Sequence, residues 1–155
     1  HQHAAVQPDL ITVAKGMGNG FPIGGVLINP KIEARFGMLG TTFGGNHLAC
    51  AAGLAVLEVI EEENLLNNAA DKGGLLIAQL KQIEAIKEVR GVGLMLAADF
   101  HFPIKELRKN MVYNQQLFTG ASTNPHTLRL LPPLGITEEE VYLFIQKLKK
   151  GIEQA

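Results

Sequence analysis

Leu10-Ile-Thr-Val-Ala-Lys15-Gly-Met-Gly-Asn-Gly-Phe-Pro-Ile-Gly-Gly25 joins a short apolar run to one lysine, then to five glycines and a proline. The run contains Ile11 and Val13 and reads as a buried strand. Glycines beyond it let the backbone turn tightly and approach a ligand closely. Lys15 therefore belongs at a strand end, on a stiff glycine rim. Two readings of it stay open. It is a solvent-facing lysine at a strand terminus, or an amine held out of water. Desolvation disfavours the charged form of a lysine, and a freed amine can attack a carbonyl to form a Schiff base.

Downstream, residues 26–28 read as a second buried strand, ended by Asn29 and Pro30, and residues 31–38 as a short helix. Gly40-Thr-Thr-Phe-Gly-Gly-Asn46 offers two hydroxyls and flexible amides. It is an ordinary polar turn or an anion-binding loop. Asn46 suits the N-cap of a helix over residues 47–63, whose start favours negative charge. The small side chains early in that helix fit a buried element, with Cys50 as a packed thiol.

Asn64 is placed to cap a second helix running from residue 65 to about 86, with an apolar stripe of Leu65, Ala69, Leu76, Leu80 and Ile83. A strand region begins at Val89 and takes in residues 90–98, then an amphipathic helix spans 103–113. Short strands follow at 117–119 and 127–131. Strand alternation sets Leu128 and Leu130 on one face and Arg129 on the other. Arg129 is a structural ion pair or a fork for a carboxylate. Thr137 and Glu140 form a capping box ahead of the last helix. Val141, Phe144, Ile145, Leu148 and Ile152 make its buried stripe, and Lys147, Lys149 and Lys150 a solvated basic face near its end.

The chain has 155 residues, 46% hydrophobic content and a net charge of −1. That charge draws in neither nucleic acid nor anionic lipid. No apolar run approaches the ~20 residues of a membrane helix. Cys50 is the only cysteine, which suits a reducing, cytoplasmic setting. His1 and His3 read as a frayed end, and no metal-ligand spacing occurs. The glycines after Lys15 run G-x-G-x-G, which is not a dinucleotide fingerprint.

Four segments together resemble one family. Residues 14–24 are similar to the cofactor-lysine region of the class III aminotransferases, pyridoxal-phosphate enzymes of fold type I, and are most like the acetylornithine aminotransferases. Residues 40–46 resemble the phosphate loop of that family. Arg90-Gly-Val-Gly-Leu-Met95 and Thr127-Leu-Arg-Leu-Leu-Pro-Pro-Leu134 resemble its C-terminal domain. The resemblance implies an α/β fold in which residues 1–62 end the large cofactor-binding domain and residues 63–155 form the small C-terminal domain. The chain opens on His1 and reads as a C-terminal fragment. Lys15 would carry pyridoxal 5'-phosphate as a Schiff base and move a proton. Thr42 would bind the cofactor phosphate across a homodimer interface, Thr41 would face the substrate, and Arg129 would bind the substrate α-carboxylate. Arg90 reads as part of a structural turn. The implied reaction passes the side-chain amino group of N-acetylornithine to 2-oxoglutarate, in arginine biosynthesis. Ornithine, succinylornithine and 4-aminobutyrate aminotransferases share the same lysine and loop. A non-catalytic folding or dimerisation module is the alternative for the isolated chain. No metal, nucleic-acid or membrane partner is expected.

Overall fold

Ile11, Thr12 and Val13 favour extended backbone, and they form the middle of β1 (Leu10–Ala14). It pairs antiparallel with β2 (Gly24–Ile28), from Leu10 opposite Ile28 to Ala14 opposite Gly24. The computed structural model describes residues 1–154. The chain divides into two compact units, His1–Glu63 and Asn64–Ala155.

In the first unit the two-stranded sheet is followed by α1 (His47–Glu62). Asn46 caps α1 through its Oδ1, which accepts from the Ala49 N–H at 2.9 Å. Gly53 of α1 lies against the connection between the strands. A methyl there would sit 3.3 Å from Ile23 Cδ1. Little else is covered. Ala49 is the one buried hydrophobic residue of this unit among the described residues. β1, β2 and α1 are therefore not buried elements as their apolar sequences suggest. Leu10, Leu27 and Leu57 are each more than half exposed. Cys50 is exposed, not a packed thiol, because among the described residues α1 is covered on the side of Ala49 and Gly53 and not on that of Cys50. Residues 31–38 are turns instead of a helix. Eight residues with no packed face do not hold an isolated helix, and Gly37 adopts φ +75°. The start is not frayed either: Gln2–Ala4 form a 3₁₀ turn, and His1 Nδ1 meets the Val6 carbonyl at 3.0 Å.

The second unit packs α2 (Leu65–Leu80), α3 (Lys105–Tyr113) and α4 (Glu138–Glu153) with a four-stranded antiparallel sheet. The strands are β3 (Ile86–Val92), β4 (Met95–Phe100), β5 (Gly120–Ala121) and β6 (Thr127–Leu130), in the order β3-β4-β6-β5. Its core joins Leu76 and Leu80 of α2, Leu96, Ala98 and Phe100 of β4, Leu107 and Met111 of α3, Leu128 and Leu130 of β6, and Val141, Ile145 and Leu148 of α4. The capping box of α4 is present, with Glu140 N–H donating to Thr137 Oγ1 at 3.2 Å and Thr137 N–H to Glu140 Oε2 at 2.8 Å.

Several boundaries differ from expectation, each through long-range pairing or a turn. α2 stops at Leu80 because Ile86 is taken up by β3, opposite Phe100. The Asn64 side chain does not cap the α2 backbone but accepts from Asn67 Nδ2 at 2.8 Å. The single strand expected over residues 90–98 is a hairpin, turning between Val92 and Met95 with Gly93 at φ +54°. Positive φ is what a two-residue hairpin turn requires. Residues 117–119 are not a strand. The Leu117 N–H closes back on the Met111 carbonyl at 2.8 Å, and pairing starts at Gly120. Lys147 is not simply solvated, since its Nζ donates to the Gln115 carbonyl at 2.8 Å.

Candidate active site

In the first unit, β1 delivers Lys15 directly into a 3₁₀ turn, Lys15–Gly18. Lys15 has φ +57° and Asn19 φ +45°, a left-handed conformation that costs a non-glycine residue about 1–2 kcal/mol. The turn is held tightly. Asn19 N–H donates to the Gly16 carbonyl at 3.1 Å and Phe21 N–H to the Gly18 carbonyl at 2.9 Å. Gly18 is buried beneath Ile23, and a methyl on it would lie 2.6 Å from Ile23 Cγ2. Ile23 thus wedges between Gly18 and Gly53 and fixes the turn to α1. Lys15 lies on an open depression with Gly16, Asn19, Phe21, Pro22 and Ile23. It is exposed, so the described residues do not hold its amine out of water. Nor does any carboxylate among them lie within ion-pair distance of it.

Thr41 and Thr42 occupy an exposed turn that leads straight into α1. Asn46 closes this turn from both ends, donating through Nδ2 to the Phe43 carbonyl at 2.9 Å and accepting from Ala49. Gly45 takes φ +70°. Thr41 packs its methyl over Gly44. The adjacent helix N-terminus favours an anion. A primary amine without an ion-pair partner suits an aldehyde, and hydroxyls ahead of a helix start suit a phosphate, though the two are separate donor groups in this chain. Pyridoxal phosphate fits them on those grounds. No hydrogen bond joins Lys15 to either threonine.

Arg129 belongs to the second unit, in β6. Leu128 and Leu130 point into the core while Arg129 is exposed, as the alternation predicts. Its cross-strand neighbours are Ala97 on β4 and Gly120 on β5, both small. Arg129 borders a cavity of about 460 Å³ whose apolar wall includes Phe118, Leu131, Pro132, Leu143 and Phe144. No ion pair among the described residues engages its guanidinium. The turn after it is stapled to α2 by Asn68, whose Nδ2 donates to the carbonyls of Leu134 at 2.7 Å and Ile136 at 3.1 Å.

Arg90 behaves in the opposite way. Its Nη1 and Nη2 pair with both Asp99 oxygens at 2.5 and 3.1 Å, and Thr127 Oγ1 donates to Asp99 at 2.5 Å. The Arg90 fork and then the Thr127 hydroxyl hold the Asp99 carboxyl below its ordinary range. Arg90 lies within β3 opposite Ala97 and not in a turn, because the hairpin turns only after Val92, and its side chain is taken up by the ion pair with Asp99. Sequence reasoning missed Asp99 and Gly120. Both matter through strand register, which local pattern does not give. No three of His, Cys, Asp and Glu gather as metal ligands among the described residues. No helix there is long and apolar enough to cross a membrane.

A family model described as Aminotransferase class-III matches residues 1–152. The acetylornithine aminotransferase of Bacillus subtilis (strain 168) is 40% identical over 157 residues, covering 98% of this chain and 40% of that protein. An ornithine aminotransferase of Oceanobacillus iheyensis is 37% identical over 150 residues, covering 94% of this chain and 37% of that one. A solved amine transaminase from an uncultivated Pseudomonas species, in its PLP-bound form, superimposes with a TM-score of 0.85 at 28% identity. That match covers 99% of this chain and 40% of the other. The chain thus spans about 40% of the length of these relatives.

Proposed function

The chain belongs to the class III aminotransferase family, and on that premise we propose that it serves a pyridoxal-phosphate enzyme passing the side-chain amino group of N-acetylornithine to 2-oxoglutarate. The observation that carries this reading is Lys15. A lysine without an ion-pair partner is held at a strand end in a left-handed backbone, on a turn wedged against α1. Strain of that kind collects at functional positions.

When bound, pyridoxal phosphate supplies the electron sink for the transfer. Lys15 would hold it through Nζ and, once displaced by substrate, carry a proton at that nitrogen. Thr42 would hold the phosphate from the second subunit of a homodimer, and Thr41 would face the substrate. Arg129 would orient the substrate carboxylate with its two-pronged fork, a positioning effect. Arginine biosynthesis and a cytoplasmic setting belong to the same proposal.

A second reading within the family is an ornithine aminotransferase, favoured by the relative at 37% identity. A third is a non-catalytic folding or dimerisation module, favoured by the exposure of Lys15 in this chain. One experiment separates them. The enzyme that the chain serves is incubated with pyridoxal phosphate, reduced with borohydride and peptide-mapped, and assayed in parallel with N-acetylornithine or ornithine against 2-oxoglutarate, with the chain by itself, expected to give no turnover, assayed beside it. Label on Lys15 with turnover of N-acetylornithine is the expected outcome. Preference for ornithine selects the second reading, and label on Lys15 without turnover the third. Label on another lysine removes Lys15 from the mechanism.

A further inference from the structure

Across the sheet of the second unit, the register aligns Arg90, Ala97, Arg129 and Gly120 in one row on β3, β4, β6 and β5. The two residues flanking Arg129 are an alanine and a glycine. At Gly120 the approach is close. A methyl group on it would lie 2.9 Å from Arg129 Nε, 3.2 Å from Arg129 Cβ and 3.2 Å from the Arg129 carbonyl oxygen. The arginine stem therefore lies across the bare Cα of Gly120. Any larger residue would contest that space.

The segment leading into Gly120 is itself clamped. Arg108 of α3 donates through Nη2 to the Thr119 carbonyl at 3.0 Å, one residue before Gly120. β5 is only two residues long, so it has little pairing of its own to fix its place. Arg108 Nε is buried without a hydrogen-bond partner among the described residues. Among the described residues the Arg108 side chain is placed by its bond to Thr119, the residue just ahead of β5.

We propose that Gly120 is a positioning residue for Arg129, setting the direction of its guanidinium by leaving room for the stem, with Arg108 holding Gly120 in place. The functional weight of this rests on Arg129 being the carboxylate-binding residue. The geometric claim does not. Nε, the nearest atom to a methyl at Gly120, belongs to a flexible side chain and gives way first, while Arg129 Cβ and its carbonyl oxygen at 3.2 Å call for a shift of only a few tenths of an ångström.

The test uses the ¹⁵N-labelled chain and the Nε–Hε resonances of its arginines. Arg129→Lys identifies the Arg129 peak by its loss. In Gly120→Ala without ligand, the Arg129 peak is expected to shift while amide peaks of the remaining sheet hold their positions. A folded Gly120→Ala protein with that peak unmoved overturns the proposal. Titration with 2-oxoglutarate is then expected to move the Arg129 peak in the wild type, and to need at least fivefold more ligand in Gly120→Ala. If wild type and Arg129→Lys respond alike to 2-oxoglutarate, the carboxylate role of Arg129 fails, and the ligand-free shift still decides Gly120. Should Gly120→Ala not fold, Gly120→Ala/Arg129→Ala is expected to restore folding by removing Nε from the contact. No restoration overturns the proposal.

Discussion

At Asp99 three side chains settle one charge. Arg90 and Thr127 both donate to the carboxylate, and its pKa is lowered, chiefly by the Arg90 bond and then by the Thr127 bond. A folded-state value below the unfolded one means that the carboxylate stabilises the fold at every pH above the ordinary range of about 3.9, and that this contribution drains away as pH falls through the lowered value. Asp99→Asn is expected to lower the urea midpoint at neutral pH. The gap to the wild type should narrow as pH falls below the ordinary carboxylate range and through the lowered folded-state value. A gap that persists unchanged at low pH would show that the charge contributes nothing. The same pair explains the contrast between the two arginines on this row. Arg90 is spoken for by an internal carboxylate, while Arg129 has no ion-pair partner among the described residues.

At the scale of elements, α2 carries two adjacent glycines with opposite roles. Gly73 is buried where α2 crosses the β3–β4 turn, and a methyl on it would fall on the Gly93 carbonyl and lie 2.8 Å from Gly93 Cα. Gly74 faces open space. Helix propensity favours alanine over glycine by up to ~1 kcal/mol at either position. At Gly73 that gain is overwhelmed, because backbone cannot rotate away as a side chain does, and overpacking costs about 1–3 kcal/mol or more. Gly73→Ala is expected to destabilise by about 2 kcal/mol or more and Gly74→Ala to stabilise by up to about 1 kcal/mol, both read from urea unfolding. Equal effects at the two sites would refute the close approach of α2 to the turn.

For the whole molecule, the two units differ in what holds them. The second has a continuous apolar core drawn from its three helices and two of its strands. The first buries one hydrophobic residue, Ala49, and exposes Leu10, Leu27, Phe43, Leu48 and Leu57. Backbone ordering costs roughly 1–2 kcal/mol per residue, and burial is the main term that offsets it. Amide hydrogen exchange is therefore expected to be slow at Leu80, Ala98, Leu128 and Leu148, and orders of magnitude faster throughout β1 and β2. Comparable protection in both units would contradict this. The exposed Lys15 follows from the same deficit: nothing described in the first unit covers its amine.

The sequence by itself determined what depends on near neighbours. The strand before Lys15, the Asn46 cap, the Thr137–Glu140 box, the alternation that turns Arg129 away from Leu128 and Leu130, and the family all follow from local residues and their spacing. Capping, period and turn chemistry act over a few residues and need no partner elsewhere in the chain. Tertiary structure alone decided which residues meet. It cut α2 short to give Ile86 to β3, bent residues 90–98 into a hairpin, tied Arg90 to Asp99, set Gly120 beneath Arg129 and left Cys50 exposed. Each of these depends on strand register or on packing between distant segments, and register is fixed by the faces that become buried together, which a linear pattern does not contain.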